Sequence, residues 1–190
     1  MNRRKAIRNI FLLGGAGAAA AGGFSFYRFY KKPDLTALDG YKKLIEELAE
    51  IIIPETDTPG AKSAGVAPVI ITLIKDCTNR KAQNRFMYGL EDVEDYAKAT
   101  YGKSFVDCDH AAKLAVTGHF EERDRPWAGI KGKVSRRLIG DSFFITLKKY
   151  TLLSYGTSMK GATMGMAYDY IPGQYNGVVP LKPGQKCWAT

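Results

Sequence analysis

Apolar residues recur at steps of three and four along most of this chain, the spacing that gathers side chains on one face of a helix. Leu38, Tyr41, Leu44, Ile45, Leu48, Ile51 and Ile52 form the first such stripe, and Pro54 ends it. Thr36 precedes Asp39 at the spacing of a capping box. A second helix is expected from about Pro68, with Val69, Ile70, Leu73, Ile74 and Cys77 inward. A third, from about Ala82 to Thr100, brings Phe86, Leu90, Val93 and Ala97 to one side. A shorter helix begins near Asp109 and covers Leu114 and Ala115. Glu121 to Lys133 is charged, carries Pro126 and two glycines, and reads as a surface loop. A last long helix is expected from Ser135 to Ser154, with Leu138, Phe144, Leu147, Thr151 and Ser154 or Tyr155 along it. No stretch alternates in the way a half-buried strand requires, and no segment repeats. The expected fold is mainly α: an irregular helical bundle with a long extended Gly/Pro/Tyr-rich C-terminal segment.

That segment, residues 161–190, breaks the pattern. It holds five glycines, three prolines, three tyrosines and a tryptophan, but only three charged residues. A solvated tail is normally polar and charged. This one is aromatic, and Tyr and Trp supply contact area at low entropic cost. It is expected to lie against another surface, either a partner or its own bundle. Three parts follow: residues 1–32 as a leader, 33–160 as the helical domain, and 161–190 as the tail.

Charge refines the leader. The formal net charge is +9, but Arg3, Arg4, Lys5, Arg8, Arg28, Lys31 and Lys32 lie within the first 32 residues, where there is no acid. The rest of the chain therefore carries only +2. A nucleic-acid-binding domain needs its basic residues on the folded body, so no nucleic-acid partner is expected. Arg3-Arg4 precedes a weakly apolar, Ala- and Gly-rich run from Asn9 to Tyr27. A paired arginine before such a run resembles a twin-arginine signal, which exports folded proteins. Ala6 stands where that pattern usually has a bulky apolar residue. Ala18 to Ala21 offers small-residue cleavage sites; left uncut, the run would act as a short membrane anchor. Either way the chain is expected to be exported to the periplasm.

The candidate chemistry is thin. Cys77, Cys108 and Cys187 lie far apart, without the paired spacing of a structural zinc or an attached c-type haem. His110 and His119 are nine apart and would face opposite sides of a shared helix, so they cannot share a metal from it. Gly156 to Thr163 has the outline of a phosphate loop, but Ala162 stands where the lysine is needed and a helix, not a strand, precedes it. Glu55 and Asp57 are the remaining acid pair. A hydrolase acting on sugars or esters through them is one alternative, and a membrane-tethered structural protein another. Thr56-Asp57-Thr58-Pro59-Gly60 is a strong turn sequence, so Asp57 is expected to cap backbone. No catalytic, cofactor-binding or metal-ligating residue is assigned.

Two blocks resemble a known family. Ile51-Ile52-Ile53-Pro54-Glu55-Thr56-Asp57-Thr58-Pro59-Gly60-Ala61-Lys62-Ser63-Ala64-Gly65-Val66 is similar to the signature of the gluconate 2-dehydrogenase subunit 3 family. So are Tyr155-Gly156-Thr157-Ser158, Gly161-Ala162-Thr163, Tyr168 and Ile171-Pro172-Gly173-Gln174-Tyr175-Asn176-Gly177. The resemblance implies a small subunit of an exported, flavin-dependent sugar or polyol dehydrogenase. It implies no cofactor in this chain, FAD in a large partner subunit, and haem c in a further cytochrome c subunit. The small subunit would escort the large one through the twin-arginine translocase and stabilise it. The residues this assigns to partner binding are Pro54, Thr56, Asp57, Pro59, Tyr155, Tyr168, Tyr170, Ile171, Pro172, Tyr175 and Pro180. Relatives often carry a cysteine where Val178 stands, so a bridge to another subunit at that position does not carry over. Cys77 and Cys187 are the candidates left for such a bridge.

Overall fold

A computed structural model of the chain describes residues 31–171, 173 and 177–189. The leader therefore lies outside the described residues, apart from Lys31 and Lys32, as do Pro172 and Tyr175. Among the described residues, a short 3-10 helix, Ala37–Tyr41, leads into six α-helices. These are α1 (Lys42–Ile52), α2 (Val66–Cys77), α3 (Arg80–Tyr101), α4 (His110–Arg123), α5 (Gly129–Ile139) and α6 (Phe143–Thr157). The mainly helical architecture read from the sequence is the one observed. Among the described residues, the only β pairing is an isolated bridge between Ala167 and Trp188.

The helices start and stop where local chemistry dictates. Ile53 leaves the helical region, at φ −130° and ψ 87°, ahead of Pro54. Gly65 turns into α2 at a φ of 69°, a left-handed conformation that glycine adopts without strain. Pro68 falls in the first turn of α2, where its missing N–H is not needed. The Asn79 side chain accepts a hydrogen bond from the Ala82 amide and caps α3, and Asp109 does the same for α4 through Ala112. Gly102 ends α3 in the left-handed region. The expected capping box at Thr36 does not form; its hydroxyl hydrogen-bonds the Asp34 carboxylate instead.

Helix α6 is the centre of the molecule. It packs most extensively on α2, and also on α3, α1 and α4. Phe143, Phe144, Leu147, Thr151, Ser154 and Tyr155 form its buried face. Gly89 of α3 lets α6 approach closely, because a Cβ at that position would sit 2.1 Å from the Phe143 ring. Phe143 in turn packs against Phe86 and Phe120, with ring centroids 5.4 and 6.3 Å away. Asp124, just past α4, accepts a hydrogen bond from the Phe144 amide at 2.9 Å and so caps α6 from another helix. The Gln83 side chain of α3 donates to the Ile74 and Lys75 carbonyls at the open end of α2.

The sequence pattern misplaces two regions. The expected loop from Glu121 to Lys133 is only a short linker, because α4 continues to Arg123 and α5 begins at Gly129. The expected helix from Ser135 to Ser154 is two helices, separated at Gly140, where φ is 86°. Within α2 the inward face is Val66, Ala67, Ile70, Ile71 and Ile74. Val69 and Cys77 face outward instead. Leu114 of α4 is likewise exposed.

Candidate functional site

The loop from Pro54 to Gly65 is built around one carboxylate. Glu50, in the last turn of α1, accepts hydrogen bonds from the Glu55 amide at 2.8 Å and the Lys62 amide at 2.7 Å. It thus holds both limbs of the loop. Gly60 lies against this carboxylate, where a Cβ would come within 2.3 Å of Oε1. The Ala61 amide also donates to the Ile53 carbonyl at 2.9 Å, closing the base. Glu47, one turn earlier on the helix, forms ion pairs with Lys62 of the loop and Lys113 of α4. Burial pushes the Glu47 carboxyl up, but hydrogen bonds from Lys62 and Lys113 outweigh it, so its pKa falls below the usual value.

Within the loop the Thr56 hydroxyl donates to the Asp57 carboxylate at 3.0 Å, and the Thr56 amide donates to the Thr58 carbonyl at 3.0 Å. Asp57 thus accepts a hydrogen bond within its own turn. Pro54, Thr56 and Asp57 are exposed, and Pro59 is half-buried. A shallow depression of about 280 Å³ lies beside the loop, with Glu47, Glu50, Glu55, His110 and Lys113 among its lining residues. Two of its three carboxylates are engaged in holding the loop. Among the described residues, no group of three or more His, Cys, Asp or Glu side chains is placed to hold a metal ion. His119 stacks on Tyr96 with ring centroids 4.2 Å apart.

The second motif block begins at the end of α6 and meets the first. Tyr155 is buried, and its hydroxyl donates to the Pro59 carbonyl at 2.7 Å. Tyr155 therefore acts on any partner only through the loop it positions. The same ring fills the space above Gly165, where a Cβ would lie 2.3 Å from the phenol oxygen. The Ser158 hydroxyl donates to the Tyr155 carbonyl and accepts from the Gly161 amide. These bonds turn the chain out of α6 into a single π-helical turn, Gly161–Gly165. The conserved chemistry of a phosphate loop has no place here, since these groups bond to each other.

Comparison with known families decides what these blocks mean. The family model described as gluconate 2-dehydrogenase subunit 3 matches residues 40–173. The chain belongs to the gluconate 2-dehydrogenase subunit 3 family. Membership of the subunit 3 family makes it, by the family's own description, a subunit of a dehydrogenase complex that works with other subunits. No curated protein and no solved structure gives a significant match. Both hydrogen-bonded blocks fall inside the matched region, apart from the stretch beyond Gly173.

The tail carries the other candidate residues. Tyr168, Tyr170 and Ile171 are 51%, 83% and 73% exposed, and Val178, Leu181 and Trp188 are exposed as well. Pro180 is exposed too. Beyond the π turn the chain doubles back: the Ala167 amide donates to the Cys187 carbonyl at 2.8 Å, and the Ala189 amide donates to the Ala167 carbonyl at 2.9 Å. Cys77 and Cys187 are free and exposed, whereas Cys108 is free and buried. Sequence reasoning missed Glu47, Glu50 and Lys113. Only the i, i+3 spacing of the two acids on the face of α1 next to the motif hinted at them.

Proposed function

We propose that this chain is the non-catalytic small subunit of an exported, flavin-dependent sugar or polyol dehydrogenase, and that it escorts and stabilises the large FAD-carrying subunit. Family membership supports a place in such a complex. The observation that carries the reading is the position of Tyr155. Its ring joins the motif loop to the root of the tail, so the two family blocks form one fixed support. From that support Tyr168, Tyr170 and Ile171 project with their apolar surface uncovered. Apolar surface held in place and left open fits a docking face for a partner. On this reading the twin-arginine leader takes both subunits to the periplasm, and a cytochrome c subunit receives the electrons.

The test is co-expression with the large subunit. Replacing Tyr170 and Ile171 together with Ala removes two exposed anchors, each of the kind that contributes about 2 kcal/mol at an interface. The large subunit should then fail to co-purify and should remain in the cytoplasm, while the small chain stays folded by circular dichroism. Undiminished co-purification and export would count against the proposal. Changing Arg3 and Arg4 to Lys should strand both subunits in the cytoplasm together.

A further inference from the structure

Helix α5 stands apart from the bundle in packing and in chemistry. None of the extensively packed helix pairs includes it. Trp127, Ile130 and Val134 are 70%, 81% and 50% exposed. Ile130 and Val134, four apart, share a face of α5, and Arg137 continues that face one turn on. The Trp127 carbonyl occupies the space where a Cβ of Gly132 would stand, 1.8 Å away. The main chain at Trp127 therefore runs close against the first turn of the helix, while the residue itself is exposed. The sequence from Arg125 to Gly140 holds five basic residues and no acid, in a chain whose charge outside the leader is nearly balanced. Beside α5 lies a groove of about 640 Å³, lined by Arg80, Lys81, Arg137 and Lys149 against a single acid, Asp141.

A protein partner would not favour this mixture, because the buried centres of protein interfaces are depleted in lysine. An anionic bilayer surface favours both halves of it. Tryptophan and aliphatic side chains enter the headgroup boundary, while lysine and arginine reach the lipid phosphates along their flexible stems. Each basic side chain near such a surface adds attraction that falls off within a Debye length. Among the described residues no helix is long and apolar enough to cross a membrane, so α5 would lie in the surface plane. We propose that α5 docks the protein peripherally on an anionic lipid surface, with Trp127, Ile130 and Val134 in the headgroup boundary and Lys131, Lys133 and Arg137 facing phosphates. This contact is separate from the leader.

The experiment uses the full chain carrying Trp188→Phe, which leaves Trp127 as the single tryptophan. Vesicles of phosphatidylglycerol mixed with phosphatidylcholine, with brominated acyl chains, are titrated in. Trp127 emission should shift to the blue and be quenched, and pure phosphatidylcholine vesicles should do neither. Lys131→Gln with Lys133→Gln should raise the lipid concentration for half the shift by about tenfold or more, whereas Lys→Arg at both should preserve it. If vesicles bind yet Trp127 emission does not change, the leader alone is responsible and the proposal is overturned. It is equally overturned if Ile130→Ser with Val134→Ser releases a co-purified large subunit while the Trp127 response to vesicles is unaltered.

Discussion

The Tyr155 hydroxyl donates a hydrogen bond to the Pro59 carbonyl oxygen at 2.7 Å, across 96 residues of sequence. One bond thus joins the end of the central helix to the loop after α1. Removing only the oxygen, with Tyr155→Phe, leaves the buried ring in place and the Pro59 carbonyl without this donor. A loss of about 1 kcal/mol is expected. Urea unfolding should show a lower midpoint with an unchanged slope.

Glu50 should be the more demanding residue. Glu50→Ala removes the acceptor for the Glu55 and Lys62 amides at once. Hydrogen bonds to a charged group are worth about 1.5–3 kcal/mol, so the loss should exceed that of Tyr155→Phe. Gly60→Ala should act on the same contact from the other side, since its Cβ would displace the carboxylate. A double-mutant cycle should therefore be strongly non-additive. Additive losses would separate the glycine from the carboxylate.

Glu47 gives a prediction in pH. Its pKa is lowered on folding by Lys62 and Lys113, which outweigh burial. The unfolded carboxyl, near its ordinary value of 4.5, then binds protons at higher pH than the folded one. The stability this group contributes is complete above the unfolded value and is lost as pH falls through the folded one. Wild type should exceed Glu47→Gln in melting temperature at pH 7, and the gap should close on acidification through the carboxylate range. A gap independent of pH would assign the effect to packing.

Gly89→Ala tests the close approach of α3 and α6. In an exposed helix this change would be favourable by about 1 kcal/mol. Here the new methyl group meets the Phe143 ring. Overpacking of this kind costs about 1–3 kcal/mol, so the sign should reverse. Calorimetry should show the variant melting below wild type.

Much of the bundle was legible because its helices bury one stripe each. In α3, Phe86, Leu90, Val93 and Ala97 repeat at helical spacing, and all four are buried. Helix α5 was not legible because its exposed face mixes Ile130 and Val134 with Lys133 and Arg137, so no apolar stripe marks it. The face of α2 was read only in part: Ile70 and Ile74 are buried as expected but Val69 and Cys77 are not, since its apolar residues run nearly all the way round and periodicity cannot choose among them. The candidate site was legible as a motif but not as a mechanism. Glu50, Tyr155 and Gly60 meet only after folding, and nothing local in a sequence records which distant amide a carboxylate will hold.

The pairing of Ala167 with Cys187 and Ala189 changes what the C-terminal segment is. A strip of chain fastened at one end must surrender most of its freedom when it binds. Here the main chain at Ala167 is tied to Cys187 and Ala189, so the two ends of the tail are held side by side before any partner arrives. Part of the ordering cost of association then falls on folding instead. The last few residues matter beyond their own contacts: cutting the chain before Cys187 would remove Trp188 and both tying hydrogen bonds, and leave Tyr168 and Tyr170 present but no longer tied at the far end.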